Sequence, residues 1–275
     1  MYRRIGVVGW PARIRYSIIA PQCSVAAVGD IMVQTIVARD GGRGLTFFVG
    51  MALAFALAAL VGFAPSYYLR GILPAPHPYE ALSPVVMIHG LVFSAWVILF
   101  AIQASLVATN RVAVHRRLGT VGMVLIAIMI PLAVVTALQG VDRPFSRPPG
   151  IPGLTWLAVP LLDVPVFGGL IVAALAFRRT PAIHKRLMLI AMIDLLQPAL
   201  GRIPDPAWLP MALSPLQTLV FLLPLFVWDL FTLKRIHPAT LWGSVVIAAV
   251  MFTVPLIWTS PAWLAFAGWA HGLIG

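Results

Sequence analysis

Three of the eight acidic residues in this 275-residue chain stand inside long apolar runs: Asp163, Asp194 and Asp229. An aspartate at the centre of a bilayer costs about 2.5–3.5 kcal/mol on insertion scales, so such a residue turns toward other protein and takes a partner. Asp163 is flanked by Pro160 and Pro165. Each proline removes a backbone donor and should kink or break the helix that carries the acid. Interrupted helices at mid-membrane depth are a common setting for solute and ion sites. Asp194 has Gln197 and Gly201 on its own helical face, at i+3 and i+7. If the two segments are adjacent and antiparallel, Asp163 and Asp194 meet, and two carboxyls at close range cannot both ionise. Asp229 lies at the inner end of its run, where a cytoplasmic Arg or Lys is the expected partner.

Imidazoles form a second set. His89, Trp96 and Gln103 follow one another at i+7 and i+14, with Phe93 and Phe100 between them, as one stripe expected to face the interior. With Asp163, Asp194 and Gln197, His89 completes a candidate intramembrane polar cluster suited to proton-linked handling of a small solute or ion. His115 and His184 occupy matching positions in two similar stretches, Ala113 to Leu118 and Ala182 to Leu187. A pair of axial imidazoles at one depth is what a b-type haem requires, so these two are candidate haem ligands in a redox reading that also admits a quinone. A third reading needs no chemistry: the polar groups hold helices together, at about 0.6 kcal/mol per hydrogen bond, in an accessory subunit whose protein partner the sequence does not specify. No spacing of His, Asp and Glu in any one segment makes a zinc site, so no metal is expected. Walker, GxGxxG, HExxH and GxSxG patterns are absent.

The elements that must position these groups follow from composition. Hydrophobic residues make up 61% of the chain and charged residues 10%, against about 25% charged in a soluble domain. Seven apolar runs, 45–65, 84–107, 118–138, 154–177, 187–203, 212–233 and 241–259, are each close to the length that spans a bilayer. The expected fold is all-α, a polytopic transmembrane helical bundle. Residues 45–275 would form one seven-helix domain, with Pro261 to Gly275 as an interfacial tail. Residues 1–44 would form a cytoplasmic, poorly ordered segment in which Met32 is a second candidate start.

Charge sets the orientation. With the N-terminus inside, fifteen of the 19 Lys and Arg residues fall on the cytoplasmic side, and only Arg70, Arg143, Arg147 and Arg202 fall outside. This predicts a membrane protein with its N-terminus in the cytoplasm and its C-terminus outside. The net charge of +11 is thereby explained by topology and by anionic lipid head groups at the cytoplasmic face, not by nucleic acid. The inside N-terminus, and a last span without lysine, exclude a retinal-type seven-helix protein. The lone Cys23 excludes an intrachain disulfide framework.

An internal repeat is also legible. Three turns place a basic pair beside a histidine, at His115, His184 and His237, and Ala-Leu-Ser-Pro occurs at 81–84 and again at 212–215. Hairpins of one orientation repeated in this way would be related by an axis normal to the membrane.

Several of these stretches carry a likeness. Phe63-Ala64-Pro65-Ser66-Tyr67-Tyr68, His89-Gly90 with Trp96 and Gln103, His115-Arg116-Arg117-Leu118-Gly119, His184-Lys185-Arg186-Leu187-Met188 and His237-Pro238-Ala239-Thr240 with Trp242-Gly243 stand between Gly44 and Gly275. This segment resembles a family of uncharacterised bacterial multi-pass inner-membrane proteins of unknown function with His-Arg-x-Leu-Gly hairpin turns. The resemblance implies the topology and a common core that excludes residues 1–40. It implies no activity.

Overall fold

A computed structural model of the chain describes residues 44, 46–74, 81–203 and 216–274. The N-terminal segment, His77 and the second Ala-Leu-Ser-Pro copy lie outside the described residues. The described residues are helical apart from turns and one isolated β-bridge between Arg70 and Leu73.

Among the described residues eight helices of more than two turns follow one another: α1 Thr46–Tyr68, α2 Pro84–Ala108, α3 Val112–Gln139, α4 Gly153–Ala176, α5 Pro181–Asp194, α6 Gln217–Leu233, α7 Pro238–Ile257 and α8 Pro261–His271. Five of them, α1 to α4 and α7, are long and apolar enough to cross a membrane. Their outward faces suit lipid: Leu256 is 79% exposed, Leu91 67% and Val172 67%, an arrangement that water would not tolerate over so much surface.

Proline writes many of the boundaries. Pro84, Pro181, Pro238 and Pro261 each stand in the first helical turn, where the missing N–H has no intrahelical acceptor in any case. Ser83 caps α2 by accepting from the Val86 N–H, and Ser260 caps α8 by accepting from the Trp263 N–H. The basic turns are shorter than the sequence implied. His115 to Arg117 sit in the first turns of α3, and His184 to Arg186 in those of α5. Hydropathy marks where the apolar run begins, and a helix continues past that point because charged side chains on its end turns reach water. His115 and His184 are each the fourth residue of their helix. The segment Pro261–His271, expected as a tail, is a helix whose Trp263 indole N–H donates to the Leu154 carbonyl at 2.9 Å.

Helix α5 is the most enclosed. Leu189, Ile190, Ala191, Met192 and Ile193 have no exposed surface. At 14 residues it rises only about 21 Å, short of a ~30 Å hydrocarbon core, but its neighbours α4 and α7 shield it from lipid. Close approach requires small residues here. A Cβ at Gly243 of α7 would come within 2.8 Å of Ile190, and one at Gly62 of α1 would overlap the Ala199 backbone.

Candidate functional site

A proline at position i cannot donate to the carbonyl at i−4. Three helices apply this rule around one space. In α4, Pro160 deprives the Trp156 carbonyl of its donor, and the helix is interrupted at Leu157. In α5, Pro198 does the same to Asp194. The helix stops there, turns through Leu195 and Leu196, and resumes for one turn at Gln197–Leu200. In α7, Pro255 acts on Met251. Trp156, Asp194 and Met251 all line one cavity of about 390 Å³, together with Asp163, Gln197, Val159, Ile247, Val250, Val254, Pro255 and Trp258. Its remaining wall is Pro148 and Ile151, from the loop joining α3 to α4, so the cavity extends from that loop end down to the acids. Asp163 lies ten positions into α4, about 15 Å below the loop end.

The mouth is a built structure. The Arg147 guanidinium donates to the Ile151, Val141 and Arg143 carbonyls at 2.9, 3.0 and 3.1 Å, locking the loop into one shape. Trp263 of α8 braces the first turn of α4 from the other side.

At the base, Asp163 and Asp194 come from adjacent antiparallel helices and lie close enough to interact electrostatically. Asp194 is 3% exposed, and its buried Oδ2 has no hydrogen-bond partner among the described residues. Two carboxyls at such close range cannot both ionise, so the pair holds at least one proton. None of the described lining residues carries a positive charge. The site therefore offers oxygen acceptors and one exchangeable proton.

Gln197 shares the cavity with the two acids, whereas His89 is not among its lining residues. The His89 ring stacks on Phe93 with centroids 4.0 Å apart, and its buried Nδ1 has no hydrogen-bond partner. Along the same stripe Trp96 is buried, its indole N–H directed at the Met192 sulfur at 3.1 Å, and Phe100 is buried as well. Gln103 faces α3 near Gly119 with its buried Oε1 unpaired.

His115 and His184 lie close enough to interact electrostatically, at the basic-turn ends of α3 and α5. The His184 Nδ1 is 2.8 Å from the Ala174 carbonyl; since a carbonyl only accepts, the proton is on Nδ1 and Nε2 carries the free lone pair. Among the described residues the buried His115 Nδ1 has no hydrogen-bond partner, and the ring lies against the Gln103 backbone. Among the described residues no group of three or more His, Cys, Asp and Glu is arranged to hold a metal ion.

Asp229 has the expected basic partner. It is fully buried, and its Oδ1 accepts from the Arg186 Nε at 2.9 Å and from Arg186 Nη2. Its Oδ2 accepts from the Thr240 hydroxyl and from the His237 backbone N–H at 3.1 Å. One carboxylate thus ties α5, α6 and α7 together at the basic-turn side.

Sequence reasoning missed the α7 wall of the cavity, including Met251 and Trp258, and did not weigh Pro198. The available signal was a proline four residues after an acid or within an apolar run, the same rule that was applied to Pro160.

No family model, no curated protein and no solved structure matches this chain.

Proposed function

We propose that this chain is a seven-span bacterial inner-membrane protein, N-terminus inside and C-terminus outside, that couples movement of a small solute to protons through Asp163 and Asp194. The observation carrying the reading is that two acids from neighbouring helices share one cavity with a built mouth. Helix packing alone would be served better by giving each acid its own donor. Seven spans follow if the short, shielded α5 and the interrupted α6 cross with the five longer helices. The Lys and Arg partition supports the orientation, and the equal placement of His115 and His184 supports a duplicated hairpin. On this topology the cavity mouth faces the periplasm, and anionic lipid head groups meet the basic turns.

Vesicles loaded with a pH-sensitive dye test the reading. In a panel of small solutes, at least one should accelerate collapse of an imposed pH gradient in vesicles carrying the wild-type protein. Vesicles with Asp194→Asn or Asp163→Asn should match protein-free vesicles. Equal flux through wild type and both variants would sink the proposal.

A second reading keeps one supporting contact. With Nδ1 engaged by Ala174, the His184 Nε2 is the nitrogen left to hold a b-type haem, and His115 would be the second residue to hold it. Bound haem would supply one-electron chemistry. A purified protein without a Soret band after haem-sufficient expression removes this reading.

A further inference from the structure

We infer that the cavity takes a small organic ammonium ion bearing at least one N–H, which enters in exchange for a proton of the acid pair. The inference rests on the proton-linked reading above and names its ligand.

The acceptors point to a cation. Two carboxyls and the Gln197 amide converge, none of the described lining residues is positively charged, and Asp194, 3% exposed, has an oxygen with no hydrogen-bond partner among the described residues. The protein leaves that donor for the ligand to bring, because a buried acceptor without one costs free energy. The walls exclude a bare inorganic ion as the best fit. Ions such as calcium or magnesium need shells of six or more oxygens, and here most of the lining is hydrocarbon. A volume of about 390 Å³ suits a small molecule with an apolar body instead. Trp156 and Trp258 add two indoles to the lining, the side chain that attracts cations best through its ring. A quaternary ammonium would satisfy the indoles but bring no donor to Asp194, so an N–H-bearing ammonium is preferred. Replacing one proton of the pair by one monovalent cation leaves the charge of the cavity unchanged, which avoids burying net charge in a low-dielectric site.

The test uses the full chain in lipid nanodiscs, with empty nanodiscs as the blank, and isothermal titration calorimetry. The probes are phenethylammonium, its neutral isostere 2-phenylethanol, and potassium. Phenethylammonium should bind at least about tenfold more tightly than the alcohol or potassium. Titration in two buffers of different ionisation enthalpy should show proton release. Asp194→Asn should weaken binding by about tenfold or more, Asp194→Glu should retain part of it, and Trp258→Ala should weaken it by about threefold to tenfold. Equal affinity for the alcohol, preference for potassium, or indifference to Asp194→Asn would overturn the inference. Proton flux that requires Asp194 but ignores every ammonium overturns the ligand class and leaves the acid-pair reading intact. Ammonium binding without proton release supports the ligand and overturns the exchange.

Discussion

Asp229 and Asp194 are both buried aspartates on broken, apolar helices, and they are treated in opposite ways. Asp229 spends both oxygens: Arg186 takes Oδ1, and Thr240 and the His237 backbone take Oδ2. Asp194 lies beside another acid in a cavity wall and keeps an oxygen that no donor among the described residues reaches. A buried charge with a full set of partners ties helices together, and deleting one partner strands the rest. A buried acid with capacity left over contributes less to packing than it might, and that shortfall is what a binding site looks like before its ligand arrives. Burial alone does not separate the two roles, because Asp229 is the more deeply buried. Counting donors does.

The largest effect expected from this contrast is on stability. Asp229→Ala should cost about 3–5 kcal/mol, because the Arg186 guanidinium remains buried without its counter-ion. Thermal unfolding of the detergent-solubilised protein reads this directly. Asp194→Asn should change stability by about 1 kcal/mol or less, in either direction, since no donor among the described residues is orphaned and one of two crowded acids is removed. Should the two variants lose equal thermal stability, the distinction between a tie and a site collapses. A smaller effect sharpens the tie. The His237 Nδ1 accepts from the Ala239 N–H at 3.1 Å to cap α7, which only the form without a proton on Nδ1 can do. Burial, and then the Arg186 charge beside it, push the His237 pKa below its ordinary value near 6.5. The folded state therefore binds this proton less readily than the unfolded chain. Its contribution is complete above about pH 6.5 and declines as pH falls toward the lowered value. His237→Asn, which can cap without titrating, should flatten that part of the stability profile.

Much of the architecture was legible because lipid imposes a simple rule, that long apolar runs become helices. The run at 84–107 is α2 almost to the residue, since Ser83 and Pro84 mark its start chemically as well as by hydropathy. The run at 118–138 understates α3, because Arg116 and Arg117 lower the hydropathy of turns that are still helical. The pairing of Asp163 with Asp194 was within reach of sequence reasoning, as both are acids at similar depth in successive spans. The separation of His89 from them was not. A stripe on one helix states which residues share a face, but not which neighbour that face meets. The third wall of the cavity, on α7, is nearly a hundred residues downstream of Asp163 and has no polar side chain to announce it. Val250, Met251 and Val254 read as ordinary core, and only the fold brings them opposite the acids.

The proline rule around the cavity has a bearing on genetics. A substitution scan alters side chains, and main-chain oxygens pass through it untouched. At positions 156, 194 and 251 the oxygen persists whatever residue is installed, while its freedom from a helical donor is encoded four positions later, at Pro160, Pro198 and Pro255. A substitution scan would thus reach these oxygens only through changes at the prolines, and would record those as remote mutations.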